Sequence, residues 1–159
     1  MRTIKLNRRE AILLRDNLVT NQGGYDYTDL CRLDFLAKKL IALQGDYAPK
    51  MSEIKREERQ TQRKLVKGEL PQLEADKVFL GLRLDIEELN EAAETINVEF
   101  KVEDGDYEVI REKVMSVTSW QGNDDIRPTI IGMIEAISNA ELEASDGESV
   151  PEVKKLRRV

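Results

Sequence analysis

The sequence predicts a mainly α, α+β fold in which helical hairpins surround a small two-stranded sheet. Three observations carry that expectation. Apolar residues recur at three-and-four spacing through most of the chain, as at Leu33, Leu36, Leu40 and Leu43. Two short segments alternate instead: "TIKL" near the start and "NVEFKVEDGD", with Val98, Phe100 and Val102. Each alternating segment runs into a helical pattern, a loop and a second helical pattern, which reads either as one unit occurring twice or as the ordinary likeness of any two amphipathic helices.

The elements follow in order. After "TIKL", Asn7 with Glu10 three residues on forms an N-cap pair, and Ala11, Ile12, Leu13, Leu14, Leu18 and Val19 mark a helix ending near Thr20. "NQGGYDY" is a turn, and Thr28 or Asp29 opens a second helix that Gly45 stops. Pro49 is expected to separate this hairpin from a polar third helix. Residues 73–96 admit two readings. Ala75, Val78, Leu82, Ile86, Leu89, Ala93 and Ile96 have helical spacing, whereas Val78, Leu80, Leu82, Leu84 and Ile86 alternate as in a strand. The leucines and "DIEELNEAAETI" favour helix throughout, with a strand at 77–84 as the alternative. A strand at "NVEFKV" and a turn at Asp104-Gly105 come next. The helix "YEVIREKVMSV", the loop "TSWQGNDD" and a helix with Pro128 in its first turn complete the order.

An ungapped alignment places Ile4-Lys5-Leu6 over Phe100-Lys101-Val102 and Leu13 to Val19 over Val109 to Met115. With one added loop residue, Leu33, Leu36 and Leu40 lie over Ile130, Met133 and Ile137. The expected organisation is one globular domain over 1–145, built from repeats at 2–45 and 98–143. A helical segment at 50–96 joins them, and residues 146–159 form a polar tail. A strand as short as these cannot stand alone, so the two are expected to pair about a pseudo-twofold axis.

Composition narrows the function classes. The chain has 159 residues and contains no histidine, which removes Ser-His-Asp and Cys-His chemistry and imidazole-based zinc sites. Cys31 is the sole cysteine and lies between apolar neighbours, where it is expected to be a small buried hydrophobe. "GGYDY" and "DGD" lack the glycine spacing and Lys-Ser/Thr of a phosphate loop. Asp104, Asp106, Asp124 and Asp125 lack calcium-loop spacing. No enzyme activity, cofactor or metal is therefore expected. No run of about 18 apolar residues is present, nor an apolar leader core, so the expected setting is the cytoplasm, without membrane attachment.

Charge is the remaining signal. The net charge is −6, yet "KREERQTQRKLVK" at 55–67 is strongly basic. On a helical wheel Lys55, Arg56, Arg59, Arg63 and Lys67 share an arc of about 120°. Such a face can track phosphates or dock on an acidic protein surface. No aromatic residue is interleaved, Glu57 and Glu58 interrupt the run, and residues 69–108 hold 13 acids against Lys77, Arg83 and Lys101. Protein contact is thus favoured over nucleic acid, with the basic face between the two repeats. Further candidate contact residues are Tyr25, Tyr27 and Trp120 in equivalent loops, although such aromatics are more often lids on their own core. Lys154, Lys155, Arg157 and Arg158 in the tail complete the set.

A short strand running into "NRREAILLRDNL", mixed charge and the absence of histidine resemble small proteins encoded by tailed bacteriophages. That resemblance implies a virion or assembly component, or a small protein acting on a host partner, and extends the expected setting to a virion. The function expected is that of a non-enzymatic structural or interaction protein in a multi-subunit homo- or hetero-oligomer. The alternative is a nucleic-acid-associated or host-directed regulator using the basic helix.

Overall fold

A computed structural model of the chain describes residues 1–20, 25–117, 120 and 124–149, with side chains of the last helix described as far as Ala140. Strands β1 (Arg2–Asn7) and β2 (Asn97–Val102) pair antiparallel, with Ile4 opposite Phe100 and Lys5 opposite Glu99. Alternation sends Ile4, Leu6, Phe100 and Val102 inward, none more than 2% exposed, and leaves Lys5, Glu99 and Lys101 in solvent.

Each strand runs directly into a helix. Helix α1 (Arg8–Val19) begins with a complete capping box: Asn7 Oδ1 accepts the Glu10 N–H at 2.8 Å, and Glu10 Oε1 accepts the Asn7 N–H at 2.9 Å. Helix α2 (Tyr27–Ala42) starts slightly earlier than its sequence suggests, because the Asp26 carboxylate accepts the Asp29 N–H and so caps it. Helix α5 (Asp104–Met115) takes Asp104 and Gly105 into its first turn, where the sequence had suggested a separate turn. Acidic residues suit a helix start, since they face the positive end of the dipole. Helix α6 (Arg127–Ser149) continues past the expected boundary at 145.

Together these elements form a head. Helix α1 packs against β1, α2, α5 and α6, and α6 also lies on β1. The aligned positions of the two units are buried alike: Leu14 and Ile110, Leu18 and Val114, Leu36 and Met133, Leu40 and Ile137, all at 2% exposure or less. Two polar groups are drawn into this core with partners. The Tyr107 hydroxyl donates to the Ile137 carbonyl at 2.5 Å. Lys113 Nζ, from α5, donates to the Thr20 carbonyl at 2.9 Å and so satisfies the C-terminal end of α1, which has no basic residue of its own there. Cys31 is exposed, contrary to expectation. It lies on the opposite side of α2 from the buried Leu33, Leu36 and Leu40, so its apolar neighbours in sequence are not its neighbours in space.

Between the two units the chain makes a hairpin of long helices, α3 (Tyr47–Val66) and α4 (Gln72–Glu94). Pro49 sits in the first turn of α3, where a missing N–H costs nothing, so it does not precede the helix. Residues 77–84 are helical within α4. The strand reading fails because the alternating leucines belong to two different faces of one helix.

Candidate functional site

The α3–α4 hairpin lies outside the core of the head and forms an arm roughly 30 Å long by helix rise. Its internal seam keeps heptad spacing on α3 and a mixed three-and-four spacing on α4. On α3 the inward positions are Tyr47, Met51, Ile54, Glu58, Thr61 and Leu65. On α4 they are Ala75, Val78, Leu82, Ile86, Leu89 and Ala93. The seam is thin, since Thr61 is the one residue of α3 that is fully buried and Glu58 occupies another inward position. Tyr47 closes the root of the seam, its hydroxyl donating to Asn90 Oδ1 at 2.7 Å; burial raises its pKa above the ordinary tyrosine value.

Both roots of the arm are held by two adjacent arginines at the start of α1. The Arg8 N–H donates to the Ile96 carbonyl at 2.7 Å. Its Nε donates to the Leu43 carbonyl at 3.3 Å, and its guanidinium pairs with Asp46 at 3.5 Å. Arg9 pairs with Glu94 near the end of α4. Asp46 also pairs with Lys50 at 2.8 Å, which, with Arg8 as a lesser contribution, holds its carboxyl below the usual range. Gly45, at φ +57°, makes the sharp entry into the arm with the Arg8 guanidinium directly over it.

The outer face of the arm carries the chemistry. Lys55, Arg56, Arg59, Arg63 and Lys67 are all exposed, and none forms an ion pair with a described residue. The basic face therefore points away from α4, and it does not lie between the two strand–helix–loop–helix units. Opposite the seam on α4, Leu73, Leu80 and Leu84 are 69%, 55% and 51% exposed. A groove of about 700 Å³ runs along one flank, with Phe79, Leu80 and Ile86 as its apolar lining and Arg59 and Arg83 among its charged walls. Near the root, a second groove over Ile54, Leu89 and Ala92 is walled by Glu53, Glu57, Asp85 and Glu88 with Lys50.

The loop aromatics divide. Tyr25 and Trp120 pack against the core as lids, and Tyr25 lies 5.0 Å from Lys113 Nζ in a cation–π contact. Tyr27 is 82% exposed, and its hydroxyl meets the Cys31 thiol, which raises its pKa. Lys154, Lys155, Arg157 and Arg158 lie outside the described residues. The structure thus gathers the five basic residues of α3 on the arm, with the head aromatics standing apart from them. Missing from the sequence reading were the outward leucines and the paired arginines. The leucines had a signal, a second heptad at 73, 77, 80, 84, 87 and 91, hidden because alternate leucines suggested a strand.

Among the described residues no group of three or more metal-binding side chains converges, and no helix is long and apolar enough to cross a membrane. Compared with known proteins, the chain has no significant match to a family model, a curated protein or a solved structure.

Proposed function

We propose that this is a non-enzymatic structural or interaction protein that works within a multi-subunit assembly, with the α3–α4 arm as its docking element. The observation that carries the reading is the arm itself. Its seam is thin, while three leucines on α4 and five cations of α3 without an ion-pair partner among the described residues face outward from its two sides. Helices in water draw most of their stability from packing an apolar face, so outward leucines on a weakly packed hairpin favour a partner surface. The resemblance to small phage-encoded proteins agrees with a virion or accessory role. Mechanistically, the leucines would supply buried area, and the basic stripe would supply electrostatic fit and register.

Light scattering and co-purification test the reading together. An assembly protein carries a second subunit through purification, and the pair Leu80→Glu and Leu84→Glu releases it while circular dichroism stays unchanged. A strict monomer that co-purifies with nothing, and whose arm variant behaves as wild type, refutes it.

The unpaired basic stripe also favours a second reading, as a phosphate-tracking face in a nucleic-acid-associated regulator. Filter binding to DNA and RNA at two salt concentrations separates the two readings. Phosphate contact predicts affinity falling steeply with salt and lost on Arg59→Glu with Arg63→Glu.

A further inference from the structure

We infer that the partner of the outer α4 face is a second copy of this chain, packed antiparallel along it. This rests on the docking reading above and names the occupant. The argument begins with spacing. Leu73, Lys77, Leu80, Leu84, Glu87 and Glu91 recur at intervals of four, three, four, three and four residues, a heptad stripe on the side of α4 opposite its seam with α3. Helix α4 thus has two seams, and α3 covers one of them.

Charge then selects both the occupant and its direction. Along the outer stripe the tip half is apolar with one cation, Lys77, flanked by Asp76, and the root half is acidic, with Glu87 and Glu91 flanked by Glu88 and Glu94. Two copies aligned in parallel would set Lys77 against Lys77, Glu87 against Glu87 and Glu91 against Glu91. Two antiparallel copies centred between Leu80 and Leu84 set Leu80 against Leu84 of the second copy, in both directions at once. The same alignment brings Lys77 to Glu87 and Glu88 of the second copy. Like charges in register oppose association, and opposite charges flanking an apolar centre favour it. A twofold pairing also has the required self-complementarity: the patch that binds is the patch that is bound.

The rest of the arm fits the same alignment. From Arg59 to Lys67 the tip end of α3 and its C-cap carry four cations and no acid, after Glu57 and Glu58, whereas α4 carries five acids and no cation from Asp85 to Glu94. At the root, Glu87, Glu91 and Glu94 share a cleft wall with Asp124 and Asp125 of the head and with Arg9, which pairs with Glu94. Antiparallel arms place each basic tip at the same end of the assembly as the other copy's acidic root, while the basic faces of α3 stay on the outside. Parallel arms would crowd tip with tip and root with root. The result is a four-helix arrangement in the order α3, α4, α4, α3, whose central layer is the leucine stripe.

Sedimentation equilibrium on the full chain across a wide concentration range tests this. The wild type is expected to dimerise. Leu80→Glu with Leu84→Glu should yield a monomer of unchanged circular dichroism, because both positions face solvent in the single chain. Lys77→Glu should weaken the dimer at least tenfold, and adding Glu87→Lys should restore most of that loss, since each residue then again meets its opposite across the twofold. A wild type that is monomeric at every concentration overturns the inference, as does a dimer indifferent to the leucine pair. Should a monomeric wild type still hold a different protein, and lose it on Leu80→Glu with Leu84→Glu, the second copy is overturned and the docking reading stands. Should the arm variants change no association, both fall.

Discussion

Replacing Gly132 by alanine tests how the head is joined, through a change whose sign depends on a residue far away in sequence. Gly132 lies in α6, and a Cβ there would stand 1.8 Å from Glu10 Oε2. The carboxylate cannot simply swing aside without loss, because its other oxygen accepts the Asn7 N–H in the capping box. Two effects of similar size oppose each other. Alanine in a helix interior is favoured over glycine by about 1 kcal/mol. Expelling the Glu10 carboxylate forfeits one half of the capping box, roughly 1 kcal/mol, besides any residual overlap. In the wild-type background Gly132→Ala should therefore be neutral to destabilising. In a Glu10→Ala background nothing occupies the space, and the same change should stabilise by about 1 kcal/mol. Urea unfolding of the four proteins, followed by circular dichroism, gives the coupling directly. An effect of Gly132→Ala that is the same in both backgrounds refutes the reasoning. The pH dependence supplies a second reading of the same site. Burial, and to a lesser degree Glu135, raises the Glu10 pKa above its ordinary 4.5, partly offset by the Asn7 hydrogen bond. The folded state thus holds this proton more tightly than the unfolded chain, and stability contributed by Glu10 grows as pH falls through its raised pKa toward 4.5. Glu10→Gln should remove that component.

Other expectations concern single contacts. Lys113→Met should cost about 2 kcal/mol, since it strands the Thr20 carbonyl that a charged donor now satisfies. Burial lowers the Lys113 pKa from 10.5, so the folded state binds this proton less tightly. Wild-type stability should accordingly gain a component as pH rises toward 10.5 that the Met variant lacks, measured as the difference between their unfolding curves. Gly45→Ala should destabilise by more than Gly68→Ala. Both have positive φ, at +57° and +76°, but Gly68 has open space around it, whereas Gly45 has the Arg8 guanidinium at 2.7 Å. Equal shifts in melting temperature would show that Arg8 yields freely. Leu82→Ala, at a site 4% exposed in the arm seam, should cost about 2–3 kcal/mol. Hydrogen exchange should then quicken in α3 and α4 while β1, β2 and α1 keep their protection; loss across the whole molecule would mean that head and arm unfold as one.

Much of the head was legible because local and global signals agree there. Asn7 and Glu10 announce the start of α1 through a cap that needs no tertiary contact, and the strand alternation matches the buried face of the sheet. The positions that the alignment of the two halves sets in register, Leu36 with Met133 and Leu40 with Ile137 among them, are each buried. The arm was legible as helix but not as an arm. Its α4 leucines serve two faces, so their pattern mixes periods, and nothing local tells which face meets α3. Cys31 failed for a related reason: apolar neighbours in sequence are informative only after the helical phase is fixed. The arginine pair at the arm root could not be read at all. Arg8 and Arg9 sit in a polar first turn like many others, and their partners lie between about 35 and 88 residues away along the chain.

That arginine pair has a consequence for how the molecule can vary. Because Arg8 and Arg9 clasp the chain where it leaves the head and where it returns, the head is sealed before the arm begins. The span between the clasped points is then free to change length, provided the seam stays in phase. Removing or adding one heptad in each helix shortens or extends the arm by about 10 Å without disturbing a contact in the head. The molecule is built as a fixed base with an adjustable reach, and the distance at which its outer face is presented is set by the number of heptads alone.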